Sequence, residues 1–146
     1  VLFLWFHSIK KLDIKLFVTI SKLIISRKIL KIDSHQDFKR KLMELKLHES
    51  YDIAFGKKLS KYIHPIVFNY LKELEEIKYK IAISSAAPNR YLRKFVENYI
   101  SDQVLVIGAF VENGSLIENF EENKITNLIQ QNFIKECQQY TNFQKI

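Results

Sequence analysis

Two short apolar runs separated by a helix-length segment constrain this chain more than any other feature. Residues 80–84 (KIAIS) read as a short buried strand, and residues 103–110 (QVLVIGAF) as a second. Ahead of the first run, His64-Pro65 suits a helix entrance, because proline fits the first turn where its missing N–H is not needed. Ile66, Val67, Tyr70, Leu71, Leu74 and Ile77 then mark one helical face. Between the runs, Pro88 opens a helix whose apolar positions are Tyr91, Leu92, Phe95, Val96 and Tyr99. After the second run, Asn113-Gly114 signals a hairpin, since both residues tolerate positive φ. A last helix is expected from about Asn123 to Glu136 through Ile125, Leu128, Ile129 and Phe133. Helix, strand, helix and strand in that order predict an α/β layer with a parallel sheet.

Residues 1–62 read differently, as helix throughout. Asp33 and Ser34 can cap a helix in which Asp37 stands at the third position after Ser34, a capping-box start with Asp in place of Glu. Phe38, Leu42 and Leu45 follow at helical spacing. Ser50 is a second candidate cap, with Gly56 a weak point in the helix it would begin. The chain therefore divides into a helical region, 1–62, acting as an insert or cap, and an α/β region, 63–146. The chain starts at Val1 and its only methionine is Met43, so it is expected to be a segment of a longer protein.

The net charge of +7 raises the question of a polyanion partner. The excess lies mainly before residue 62, and neither a zinc-finger spacing nor the aromatic-and-basic strand pattern of an RNA-binding sheet accompanies it. A solvated basic face is expected and nucleic acid is not; attraction to anionic substrates or lipid headgroups remains an alternative role for that charge. A membrane-spanning helix needs about 20 mostly apolar residues, and Lys10, Lys11, Asp13, Lys15 and Lys22 interrupt every such window at the N-terminus. At about 100° per residue, Lys11, Lys15 and Lys22 share one narrow face. That face suits either a helix packed on the rest of the protein or one in weak contact with a membrane surface. Cys137 is the only cysteine, which excludes an intramolecular disulfide and fits a reducing, cytoplasmic setting.

Ligands of open α/β sheets bind beyond the carboxyl ends of the strands. The segment IAISSAAPNRYL puts two serines and two alanines at such an end, just before a helix. Small residues there let backbone N–H groups approach an anion, and a serine hydroxyl adds a donor. Ser84 and Ser85 serve equally as turn and cap residues. Lys124 opens the last helix, where its charge opposes the helix dipole and so has no stabilising rationale of its own. It is either an ordinary surface lysine or an ammonium held for an anion.

The stretch from His64 to Ile129 resembles the phosphoserine-phosphatase-like branch of the haloacid dehalogenase superfamily. The resemblance rests on Ser85-Ala86-Ala87-Pro88 after the first strand, Ile107-Gly108-Ala109 near the end of the second, the Asn113-Gly114 hairpin, and Lys124. It implies a partial Rossmann-like parallel sheet under an N-terminal helical cap. It also implies phosphate binding by Ser85, with the Ala86 peptide N–H as a further donor, and by the Lys124 ammonium. The activity implied is Mg²⁺-dependent hydrolysis of a small phosphomonoester through an aspartyl-phosphate.

The sequence departs from that pattern in its aspartates. Asp13, Asp33, Asp37, Asp52 and Asp102 are the only ones, and none stands in the family's Asp-x-Asp setting. No acidic pair follows a final strand. The segment is therefore expected to hold a phosphate without turning it over. A non-catalytic remnant or phosphate-binding module and a membrane-surface helical protein are the competing functional classes.

Overall fold

The computed structural model describes residues 1–133. Four helices come first: α1 (Leu2–Lys10), α2 (Ile14–Lys28), α3 (His35–Met43) and α4 (Glu49–Ser60). The α/β part follows as α5 (Pro65–Glu76), β1 (Ala82–Pro88), α6 (Asn89–Tyr99), β2 (Leu105–Glu112), β3 (Ser115–Ile117) and α7 (Glu122–Gln130). The expected continuation of the last helix to Glu136, and Cys137, lie outside the described residues. Among the described residues no helix is long and apolar enough to cross a membrane.

The N-terminal helices do not run through as one amphipathic rod. Leu12 takes a positive φ of 55° and the chain turns, after which the Asp13 carboxylate accepts the Leu16 N–H at 3.0 Å and caps α2. The three lysines therefore share no common helical face. Lys11, ahead of the break, donates to Ser50 Oγ at 2.7 Å and lies over the Tyr51 ring. Leu16 and Ile20 of α2 and Tyr51 of α4 form a buried cluster, closed by Leu4 and Trp5 of α1. The Trp5 indole N–H donates to Ser21 Oγ at 2.8 Å, so α1 folds back along α2.

Ser34 caps α3 as the sequence suggests, its Oγ accepting the Asp37 N–H at 3.0 Å. Ser50 does not cap α4. The helix already begins at Glu49, two residues before a Ser50 cap would start it, and His48 Nδ1 accepts the Ser50 N–H at 3.2 Å instead. α4 lies close on α6 at Gly56, where a Cβ would stand in ordinary contact, 3.4 Å from the Tyr99 ring and 3.6 Å from Phe95 Cα. Along α5, Leu71 and Leu74 are half-buried while Ile66, Val67 and Tyr70 stand exposed.

The sheet is mixed rather than wholly parallel. β1 pairs with β2 in parallel, Ala82 opposite Leu105 and Ser84 opposite Ile107, whereas β3 returns antiparallel to β2. The return is the expected hairpin: Asn113 and Gly114 both take positive φ, 49° and 75°. Leu92 and Val96 of α6 pack on Val104 and Val106, with Ile81 and Ile83 alongside, to make the second core cluster. Burying branched side chains between one helix and one sheet face in this way contributes about 1.5–3 kcal/mol for each fully buried one.

Candidate functional site

Ser85 and Ala86 are strand residues, not part of a loop after the strand. β1 continues to Pro88, and α6 begins at the next residue. Its register with β2 breaks after Ser84: Ser84 faces Ile107 but Pro88 faces Ala109, so four steps along β1 match two along β2. Residues 85–87 therefore bulge from the ladder at its carboxyl end, a device that re-aims side chains beside binding sites. Gly108 makes the bulge possible. A Cβ there would come within 2.6 Å of the Ala87 carbonyl oxygen and 2.8 Å of the Asn89 backbone nitrogen, so only glycine admits this approach.

Within the bulge, Ser85 Oγ accepts the Ala87 N–H at 3.2 Å. Among the described residues its hydroxyl proton has no acceptor, which leaves it to donate. Ser84, expected as the last buried strand residue, is half-buried. Its Oγ accepts from Asn119 at 2.9 Å.

Asn119 is the residue that sequence reasoning missed. It is fully buried, and its side-chain amide donates at 2.9 Å to Ser84 Oγ, to the Ser85 carbonyl and to the Ile107 carbonyl. Two amide hydrogens serving three acceptors means that one is shared. Its own carbonyl accepts the Asn127 amide of α7 at 2.9 Å. The pair thus ties β1, β2 and α7 together where the bulge begins. A buried, fully bonded polar group of this kind fixes geometry, because each unmet bond would cost about 1–3 kcal/mol. No periodicity marks Asn119; it is one polar residue in a short connection.

Lys124 sits in the first turn of α7, as expected, after Glu121 turns the chain with a positive φ of 47°. It is half-buried, forms no ion pair among the described residues, and lies one helical turn before Asn127. α7 packs against β1. The asparagine pair therefore brings the helix of Lys124 to the strand of Ser85, although no hydrogen bond joins the two side chains.

Four of the aspartates have structural duties. Asp13 caps α2, Asp37 pairs with Ser34, and Asp33 takes Lys41 at 2.6 Å and Ser26 at 2.8 Å. Hydrogen bonds from Lys41 and Ser26 hold the Asp33 carboxyl below its ordinary range. Asp52, nearly buried, receives Arg90 bidentately at 2.9 and 3.1 Å. Among the described residues no three His, Cys, Asp or Glu side chains gather as a metal ion requires. The described residues thus do not fit a Mg²⁺ site.

A cavity of about 620 Å³ opens between α1, α3 and α4 on one side and the ends of β1 and β2 on the other. Pro88 and Ala109, opposite each other on the last rung of the β1–β2 ladder, form part of its wall. Ser85, Ala86 and Lys124 do not line it. Tyr91 does, and burial pushes its phenol above the ordinary value of 10.0. Comparison with protein-family models, with curated proteins and with solved structures finds no match for the chain.

Proposed function

We propose that this chain carries the phosphate-holding part of a cytoplasmic phosphomonoester hydrolase of the haloacid dehalogenase type, and that it binds a small phosphorylated molecule without hydrolysing it alone. In this reading the Ser85 hydroxyl and the Ala86 peptide N–H donate to phosphoryl oxygens. The Lys124 ammonium offsets their charge, while helices α1–α4 serve as the cap. Mg²⁺ and an attacking aspartate belong to that type of hydrolase, but the side chains described here supply neither.

The observation that carries the reading is the asparagine pair, which links α7 to the bulged end of β1. An anion site split between a strand end and a helix start needs such a brace. The charge-assisted hydrogen bond from Lys124 is worth about 1.5–3 kcal/mol, so Lys124→Ala should weaken inorganic phosphate binding roughly ten- to a hundred-fold. Isothermal titration of the wild type, Ser85→Ala and Lys124→Ala checks this. Equal phosphate affinity in all three would remove the proposal. Turnover of p-nitrophenyl phosphate above the level of the double variant would remove the claim of inactivity.

A further inference from the structure

The cavity under the helical layer is lined mainly by apolar side chains. Phe3 of α1, Phe38, Leu42 and Met43 of α3, Phe55 of α4 and Phe110 of β2 all line it. Its volume falls in the range of about 300–1,000 Å³ that small-molecule sites occupy. Its aromatic rings supply large apolar area at low entropic cost, and Met43 adds a side chain that adapts to irregular shapes.

Four charged side chains also reach the cavity, Lys39, Glu44, Asp52 and Arg90, and each of them is already matched. Lys39 pairs with Glu118 at 2.9 Å, Glu44 with Arg40 at 3.1 Å, and Asp52 with Arg90 at 2.9 Å. A charged ligand body would have to break one of these pairs and leave a partly buried ion uncompensated, which is costly. A neutral apolar body keeps all three and removes water from the rings. Pro88 and Ala109 place one wall of the cavity at the carboxyl end of β1, three residues beyond Ser85, which lies outside the lining itself.

We propose that this cavity receives the neutral aromatic or branched aliphatic body of the ligand whose phosphate is assigned to Ser85 and Lys124. The inference rests on the phosphate reading for that ligand's anionic end, but not for the cavity's preference. Small polar phosphates, such as those of sugars or of amino acids, leave the rings facing water and are poor ligands.

Isothermal titration of the full chain with 2-naphthyl phosphate, inorganic phosphate and 2-naphthol tests both parts. Naphthyl phosphate should bind at least tenfold more tightly than inorganic phosphate, and Leu42→Trp, which puts a larger ring into the cavity, should cut that advantage severalfold while sparing phosphate affinity. Equal affinity for the two phosphates overturns the inference and leaves the anion site standing. An advantage that survives Leu42→Trp undiminished in a variant with unchanged melting overturns it as well. Naphthol and naphthyl phosphate binding equally, with no binding of inorganic phosphate, keeps the apolar cavity and sinks the phosphate reading. Because the wild-type series is decisive alone, a Leu42→Trp chain that fails to fold does not rescue the idea.

Discussion

Helices α3 and α4 both stand over the ends of β1 and β2 and both line the cavity, yet they are held in opposite ways. α4 lies in close contact with α6, with Tyr51, Asp52 and Gly56 buried. It is tied further by Arg90 to Asp52 and by Lys94 to Glu49 at 2.8 Å. The Lys94 hydrogen bond holds the Glu49 carboxyl below its ordinary range, and Glu49 in turn raises the Lys94 ammonium. α3 buries no residue fully. Among the described residues its polar link to the sheet side is the pair Lys39–Glu118, and Arg27 of α2 lies over the Phe38 ring. One wall of the cavity is thus fixed by packing, and the other is laid on by a few surface contacts. Local opening free energies follow that difference, because elements with little buried apolar area open first.

The largest effect should come from breaking the fixed wall. In Gly56→Leu the new side chain meets Phe95 and Tyr99 at the closest approach of α4 and α6. Overpacking of this kind costs about 1–3 kcal/mol. Denaturant unfolding should show the loss; an unchanged midpoint would mean that the two helices are not in register here.

Arg90→Met comes next. It keeps the aliphatic stem but leaves the nearly buried Asp52 carboxylate and the Leu45 carbonyl without their donors, at 3.1 Å in the latter case. The loss should be about 1.5–3 kcal/mol, lowered by the partial exposure of the arginine. Replacing Asp52 by Leu in the same chain should recover part of it. If the double variant is no better than the single one, the pair is not what joins α4 to α6.

Lys39→Met probes the looser wall and should do little to global stability, about 0.2–1 kcal/mol. Its signature is local: amide exchange should accelerate along α3 and stay unchanged along α4. Equal acceleration in both helices would erase the contrast between them.

The same contrast explains what could be read from the sequence. The Asn113-Gly114 turn, the Ser34 cap and the Pro65 start rest on chemistry within a few residues and stand where that chemistry puts them; both strands form, but β1 runs on to Pro88 and β2 to Glu112, past their expected ends. Gly56 reads locally only as a weak point in its helix, and its place against α6 comes from the partner helix. The bulge at residues 85–87 depends on Gly108, more than twenty positions away, so the serine segment read as a loop. Asn119 acts through three acceptors from two strands, which no spacing rule could gather. The cavity is wholly a product of how α3 and α4 settle on the sheet.

The smallest expected effect concerns His7, on the side of the molecule that α4 fixes. Its ring stacks on Phe3 at 5.2 Å and meets the edge of Tyr51 at 5.3 Å, and its Nε2 is buried without a partner. Burial first, then the charges of Lys11 and Lys10, push its pKa below the ordinary 6.5. The folded chain therefore prefers the neutral ring, while the unfolded chain takes up a proton as soon as pH falls through 6.5. Stability linked to His7 is complete above that value, declines as pH falls below it, and levels off once the folded-state pKa is passed. Asp33 and Glu49 act in the same direction but lower, losing their contribution only where carboxylates protonate. Melting between pH 7.5 and 5.5 isolates the histidine from them. His7→Phe keeps the stack on Phe3 and has no nitrogen to leave unpaired, so its melting temperature should fall less across that interval than the wild type's. A variant that loses as much as the wild type would place the pH response elsewhere, and His7 would then be an apolar spacer between α1 and α4 with no proton linkage.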